Sequence, residues 1–448
     1  MNVQVTARRL PPGPRRPLLG ALISPARDPL ALLTRLARTY GDIVHLRVGG
    51  ERAFLLNHPQ HIRDVLVTHH KNFKKSRGLE RAKKLLGEGL LTSEGAAHLR
   101  QRRLIQPAFH RERIAAYASV MTEHADRMRQ RWTSGEELDV SREMMRLTLS
   151  IVGKTLFDRD VESRADEVGV ALTRVLELFW VTLLPLSDFI ERLPVPAFRR
   201  GRAARGQLDR LIYEMIAERR AGGRDRGDLL SMLLMAQDEE DGGGLTDQQV
   251  RDEAMTLLLA GHETTANALA WTWYLVSRAP EVETRLHEEI DRVLDGRLPG
   301  AADFGALPFV EKVVTEAMRL YPPAWIIGRR AIHDYPIGDF VAPAGTILFM
   351  SAYVMQRDPR YYDDSERFLP ERWTPGFKAS LPKFAYFPFG GGPRQCIGEP
   401  FAWMELVLLV ATIAQRWRLR LAADRPVVPQ PLVTLRPRHG IKVVVTTR

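Results

Sequence analysis

The hydrophobic and polar positions along this chain predict helices over most of its length and short strands in a few places. Asp28-Pro29-Leu30 opens an amphipathic helix, with Asp28 as cap and Pro29 in the first position, which ends near Gly41. Ile43–Val48 and Ala53–Asn57 then read as a hairpin turned at Gly49-Gly50, and His58–His69 as a helix. Lys71 to Leu91 has no clean periodicity and reads as a surface loop; a further helix opens at Glu94. From Arg111 to about Arg220 the pattern is helical, broken near Gly135, Asp158, Pro185, Pro194-Val195-Pro196 and Gly222-Gly223. Asp238–Gly244 reads as a linker. Leu245 to Arg278 then reads as one helix, with Thr246 as cap, Gln249 at the capping-box position and Pro280 beyond its end. At roughly 30 residues it spans about 45 Å, enough to cross the whole molecule. Glu311–Leu320 is a helix stopped by Tyr321-Pro322-Pro323. Strand-like pieces follow around Pro336–Val341 and Thr346–Met350, and Leu432–Thr447 reads as a hairpin turned at His439-Gly440.

Composition changes this picture little. At 45% hydrophobic, 27% charged and 8% aromatic residues, the chain is ordinary globular protein. The formal charge of +11 comes from arginines spread along the whole length, with no basic stretch interleaved with aromatics, which argues against a nucleic-acid platform. Met1–Leu10 is polar and no run approaches the roughly 18 apolar residues of a membrane span, so neither a signal peptide nor a membrane anchor is expected. Residues 1–14, ending in Pro11-Pro12-Gly13-Pro14, read as a stiff lead-in to a single large domain over 15–448. One cysteine in 448 residues excludes disulfide stapling and fits a reducing, cytoplasmic setting.

That cysteine carries the candidate chemistry. It lies in Phe389-Gly390-Gly391-Gly392-Pro393-Arg394-Gln395-Cys396-Ile397-Gly398, at the entry to the apolar helical run Phe401–Val407. A helix N-terminus offers unpaired N–H groups and a positive dipole end, and glycines let backbone N–H groups approach the sulfur. The loop is a cradle for a deprotonated cysteine, acting as nucleophile or as metal ligand. A second anomaly sits mid-way along the long helix, where Leu259-Ala260-Gly261-His262-Glu263-Thr264-Thr265 puts polar groups in an apolar interior. A threonine hydroxyl there can bond the carbonyl of residue 260, and with Gly261 adjacent the helix can bulge into a polar groove. Two helical pairs also stand out: His98 with Arg102, four apart, and Glu316 with Arg319, three apart. By themselves both read as solvated charge.

Together these stretches resemble the cytochrome P450 family in four separated motifs and in family order. Phe389, Gly392, Arg394, Cys396 and Gly398 fill every fixed place of its haem-thiolate signature. Ala260-Gly261-His262-Glu263-Thr264-Thr265 matches its oxygen-handling helix, Glu316 and Arg319 its Glu-x-x-Arg pair, and Pro370-Glu371-Arg372-Trp373 its later Pro-Glu-Arg element. The resemblance covers the chain from Pro11 to its C-terminal strands. It implies a mainly α fold with a small β-rich lobe (α+β) in one large domain, holding haem b (iron protoporphyrin IX). Cys396 would be the axial iron ligand. His98, Arg102, Arg394 and Arg329 would meet the haem propionates, with Arg330 the rival of Arg329 because only one of two adjacent strand residues faces the haem. Thr264 and Glu263 would manage protons during dioxygen activation. Arg372 would join Glu316 and Arg319 in a buried structural triad. Leu85, Leu86, Phe179, Ala260, Trp325, Ile326 and Ile327 would line an apolar substrate pocket, and the C-terminal hairpin would touch it.

The resemblance further implies a monomeric monooxygenase that inserts one atom of O2 into a C–H or C=C bond of a hydrophobic small molecule such as a fatty acid, terpenoid or steroid. Electrons would come from NAD(P)H through a reductase and a separate ferredoxin or flavodoxin-type protein, steered to arginines of the 95–107 helix with Arg111 and Arg113. A peroxide-driven peroxygenase is the alternative within the enzyme class; the acid–threonine pair argues against it. A haem sensor or ligand carrier without turnover is the alternative outside that class, disfavoured by the polar helix centre.

Overall fold

A computed structural model describes residues 10–14, 28–48, 50–158, 165–182, 195–223, 225–237, 242–422 and 426–448. Its axis is the helix Asp247–Val276, buried on nearly every side. The reciprocal capping box forms as the sequence predicts: the Thr246 side chain accepts from the Gln249 N–H while the Gln249 side chain accepts from the Thr246 N–H. Around it pack the helices Val140–Phe157, Pro196–Gly222, Pro308–Leu320 and Glu399–Ala414. One apolar cluster joins this helix to Glu399–Ala414 and Pro308–Leu320 through Trp271, Leu269, Leu409 and Val313. A second joins its other half to Ala82, Leu86 and the helices 165–182 and 196–222. The β-rich lobe is a five-stranded sheet ordered 43–48, 51–56, 347–350, 327–331, 73–75. The helix Pro29–Tyr40 packs on it, with the Asp28 carboxylate accepting from Leu30 N and Ala31 N at its start and Gly41 (φ 87°) at its end.

Three expectations about elements are corrected. Lys71–Leu91 is not one loop: it contains the edge strand Phe73–Lys75 and the helix Arg77–Leu86. Phe73 and Lys75 point inward, and a three-residue strand is too short to show a period. The helix at 58–69 is α-helical only over Pro59–Arg63 and loosens into a wider turn over Asp64–Thr68. No hairpin forms at His439-Gly440. Leu435–Pro437 pairs instead with Pro429–Pro431, and Lys442–Thr447 pairs with Trp417–Leu421 and Glu137–Asp139. The partners of Lys442–Thr447 lie too far away in sequence to leave a local signal, whereas Leu435–Pro437 does turn back on its near neighbour, at 432–434 instead of 439–440. The breaks expected at Pro185 and Pro194, and part of the 238–244 linker, lie outside the described residues. Among the described residues no helix is long and apolar enough to cross a membrane.

Candidate active site

The cysteine loop is built by close backbone contacts. Gly392 has φ 71°, and a Cβ there would stand 2.0 Å from the Leu66 carbonyl oxygen, so no other residue fits. Gln395 N donates to Gly392 O and Cys396 N to Phe389 O, each at 3.0 Å, which closes the loop. Arg102 pins it from outside, donating from Nη1 to Gln395 O at 2.8 Å. Gly398 and Glu399, at the start of the helix Glu399–Ala414, turn backbone N–H groups to the sulfur. Burial nevertheless pushes the Cys396 thiol up to about 11. Yet the same side chain is open to a solvent-sized sphere. A group that is both desolvated and reachable faces an internal void, not the outer surface. At neutral pH such a thiol becomes a thiolate only beside a cation, which a metal supplies.

The long helix has a matching opening. Along its middle, Ala260, Gly261 and Thr264 alone escape full burial, and their spacing places them on one face. Thr264 Oγ1 donates to Ala260 O at 2.7 Å and Thr265 Oγ1 to Gly261 O at 3.2 Å, the bonding expected of these hydroxyls. The helix continues unbroken through them, so the anticipated bulge is not present. Glu263 is turned off this face. It is 2% exposed, accepts from Thr434 Oγ1 at 2.6 Å and pairs with Arg436 Nη2 at 3.1 Å.

A third component is a buried excess of positive charge. Arg394 is ion-paired through Nη2 with Glu94, but its Nη1 is buried with no partner. Arg329 is 8% exposed, donates from Nη1 to Gly328 O at 3.1 Å, and is pushed down to about 10 by burial with Arg394 beside it. Arg330 points the other way on the strand and bonds Glu51 at 2.9 Å, so of the two it is Arg329 that lies beside Arg394. His98 is buried, and burial together with Lys75 and Arg394 holds it down to about 4, hence neutral. Lys75, which the sequence does not reveal, faces Arg329 across the sheet. Burial pushes it down to about 7, and its Nζ donates to Leu90 O and Ser93 O. Among the described residues, Glu94 and a Glu253 pushed up to about 7 by burial are the acids that act on Lys75. A buried cluster so short of negative charge, with an orphaned guanidinium N–H, fits a bound dianion.

Glu316 anchors the structural network. Its two oxygens accept from Arg319 Nε (2.8 Å) and Nη2 (2.9 Å), Arg372 Nε (3.0 Å), Leu369 N (3.0 Å) and Trp373 Nε1 (2.9 Å). Arg319, fully buried, also donates to Gln356 O, Ser365 O and Arg367 O, so the triad ties down the meander preceding the cysteine loop.

The expected pocket residues divide. Leu85 and Leu86 do join the apolar cluster of Leu257–Leu259, with Val433 packed at its edge. Trp325 does not: it is 4% exposed in the core beneath the helix Pro29–Tyr40, donating from Nε1 to Leu432 O at 2.8 Å, with Ile326 against the same cluster. The double proline turns that segment into the β-lobe. Ile327 faces the cysteine loop, its Cδ1 3.4 Å from where a Cβ of Gly390 would stand. Phe179 falls in the helix Ala165–Thr182, but its side chain lies outside the described residues. Phe389 packs 5.8 Å from the Trp403 ring. Of the expected docking arginines, Arg113 donates to Gly227 O and Arg100 to Gly243 O, so part of that face is tied into the structure. Two hollows, about 160 Å³ beside Glu167 and Gln207 and about 360 Å³ between Trp373 and Trp403, lie apart from Cys396 and Thr264.

The thiol and the cationic cluster are compatible with a bound haem, and comparison with known proteins gives the family. The cytochrome P450 family profile matches residues 10–445. Cyclooctatin synthase of Streptomyces melanosporofaciens is 41% identical over 421 residues, covering 94% of this chain and 92% of that one. Pentalenene oxygenase of Streptomyces avermitilis is 37% identical over 434 residues, covering 96% of each. The crystal structure of the cytochrome P450DA heme domain superposes with a TM-score of 0.89 at 28% identity, over 99% of both chains. The chain belongs to the cytochrome P450 family. It is a haem-thiolate monooxygenase that uses haem, O2 and electrons from a redox partner to oxidise hydrophobic small molecules.

Proposed function

We propose that haem b is held by Cys396 at the iron and by Arg394, Arg329, Arg102 and neutral His98 at its propionates. The observation that carries this reading is the Cys396 side chain, desolvated by protein yet open to an internal void. When bound, the haem supplies dioxygen activation and insertion of an oxygen atom into a C–H or C=C bond. The protein's own residues do the rest. Arg102 and the N–H groups of Gly398 and Glu399 fix the sulfur and its charge. Arg394 Nη1 and Arg329 each have donor capacity to spare for a carboxylate. Thr264 keeps a hydroxyl at the open face of the long helix, and Glu263 is the acid one residue away that supplies its proton. Leu85, Leu86 and Val433, with the partly uncovered Ala260, orient an apolar substrate and exclude water.

For the substrate we propose a cyclic, unsaturated terpenoid hydrocarbon or its alcohol. Three relatives bear the names cyclooctatin synthase, cyclooctat-9-en-7-ol 5-monooxygenase and pentalenene oxygenase, and the cluster around Leu85, Leu86 and Leu257–Leu259 is rich in leucine. Residues 1–14 serve as a lead-in and 15–448 as one domain, working as a cytoplasmic monomer. A ferredoxin or flavodoxin-type donor, reduced from NAD(P)H by its reductase, delivers the electrons.

Carbon monoxide bound to the reduced protein tests the ligand set: a strongly red-shifted Soret band is expected, and the band of a histidine-ligated haem would overturn it. Titrating the ferric protein with pentalenene, a steroid and a fatty acid tests the substrate class. A Soret shift with the hydrocarbon is expected, and a shift with the fatty acid alone would overturn it.

A further inference from the structure

The C-terminal turn 432–436 carries chemistry that the motifs do not account for. Thr434 Oγ1 donates to Glu263 Oε1 at 2.6 Å, and Arg436 Nη2 stands 3.1 Å from the same oxygen. Asn267, one helical turn beyond Glu263, donates from Nδ2 to Thr434 Oγ1 at 3.1 Å, so the threonine hydroxyl is fixed as a donor toward the acid. The turn itself is held on three sides. Trp271 Nε1 donates to Leu435 O at 2.9 Å, Trp325 Nε1 to Leu432 O at 2.8 Å, and Leu435 N to Pro323 O at 2.9 Å. Its members lie far from Glu263 in sequence, in a region whose own pairing the sequence misplaces.

This arrangement holds the acid in the wrong place for its task. Ala260, Gly261 and Thr264 form the open face of the long helix, while Glu263 is fully enclosed one residue round from it. An acid that serves Thr264 has to swing out of the contact with Thr434 and Arg436. The contact is also incomplete on the other side. Arg436 Nε and Asn267 Oδ1 are both buried without a partner. Each such group costs free energy while it stays unpaired, so a second position of Glu263 that let them re-pair lies within reach. A network satisfied in one position of Glu263 and strained in its remaining groups suits a side chain with two stations.

We propose that Thr434 and Arg436 are positioning residues that hold Glu263 away from the cavity at Thr264, so that release from this clamp, not the presence of the acid, gates its access. The proposal rests on the reading of Glu263 as the acid serving Thr264. It also explains why a turn from the far end of the chain is stitched so tightly to the long helix.

The test is a double-mutant cycle on the reduced, carbonmonoxy holoenzyme, read by the infrared C–O stretch, which senses charged and polar groups in the cavity. Glu263→Gln alone is expected to leave the stretch where it stands in the unmutated protein, because the acid is clamped outside. Arg436→Gln is expected to shift it, and adding Glu263→Gln to Arg436→Gln to change it again. Arg436→Lys, which keeps the charge, is expected to restore the original frequency, which a merely structural role would not require. A shift with Glu263→Gln in the unmutated background, or no shift with Glu263→Gln in either background, overturns the clamp. The red-shifted Soret band is recorded for every variant. If Arg436→Gln loses it, Thr434→Val, which removes only the neutral donor, takes its place in the cycle. Absence of that band in the unmutated protein would instead overturn the haem-thiolate reading, so the two failures are separable.

Discussion

Glu405, in the helix Glu399–Ala414, is fully buried, and neither of its carboxyl oxygens has a donor. Its neighbour is the Thr265 hydroxyl, whose only proton is spent on Gly261 O at 3.2 Å. Burial pushes its carboxyl up to about 8 from an ordinary 4.5, outweighing the Thr265 hydroxyl, which acts to lower it. The sign of the linkage follows. Between those two values the folded protein keeps a proton that the unfolded chain releases, so stability falls as pH rises. The slope is about 1.4 kcal/mol per pH unit, and the loss between pH 5 and pH 8 is roughly 3–4 kcal/mol. Glu405→Gln keeps the shape and a donor but removes the titration. The assay is denaturant unfolding of holoenzyme and variant across this range, taking the difference at each pH so that Glu253, Lys75, His98 and the other titrating groups cancel. The Gln variant should match the unmutated protein most closely at pH 5 and exceed it increasingly toward pH 8. A difference that stays flat with pH, or grows toward acid, would refute the protonated state.

Glu316→Gln should leave Arg319, wholly buried, with an uncompensated charge at a cost of about 3–5 kcal/mol; haem content per purified protein should fall sharply, and a haem-replete variant would contradict the anchoring role. Arg329→Gln should speed haem loss to an apomyoglobin trap while Arg330→Gln, which breaks only the bond to Glu51, should not; equal effects would undo the assignment by strand face. Thr264→Ala should divert reducing equivalents to hydrogen peroxide, measured per NAD(P)H consumed, and unchanged coupling would remove the hydroxyl from the proton path. Gly392→Ala should abolish the red-shifted Soret band, since its Cβ would meet the Leu66 carbonyl in a backbone conformation alanine resists; retention of the band would show that the loop yields there.

The legible parts of this molecule are those whose chemistry is local. Thr246 and Gln249 sit three apart and cap a helix by themselves, and Gly392 and Cys396 share one loop, so both could be read in place. The five donors on Glu316 come from residues up to 57 positions away, and spacing alone would have made its pair with Arg319 a surface contact. Lys75 was hidden for a different reason. A lysine in a polar stretch reads as solvated, and only the pairing of Phe73–Lys75 with 329–331 puts it beside Arg329. Trp325 misled in the opposite direction: an aromatic after a double proline looked like a pocket wall, but the turn carries it under the Pro29–Tyr40 helix.

The long-range contacts at the long helix also bear on why a costly set of polar groups persists in an apolar interior. The centre of the helix is tied to its surroundings through both backbone and side chains. His262 O accepts from Thr148 Oγ1 of the helix Val140–Phe157 at 3.0 Å, Glu263 meets the C-terminal turn, Thr264 bonds within the helix, and Thr265 lies against Glu405 of the cysteine helix. The centre of the helix is thus fixed relative to three other elements, while Ala260, Gly261 and Thr264 stay partly uncovered, Gly261 beside Val152. That division is what a reaction cavity requires: side chains held rigidly from behind, with one small-residue face left open to the cofactor and substrate. Within it Glu263 is the one acid whose place is set by a single turn of chain, and it is there, not at the threonine, that the structure leaves room for control.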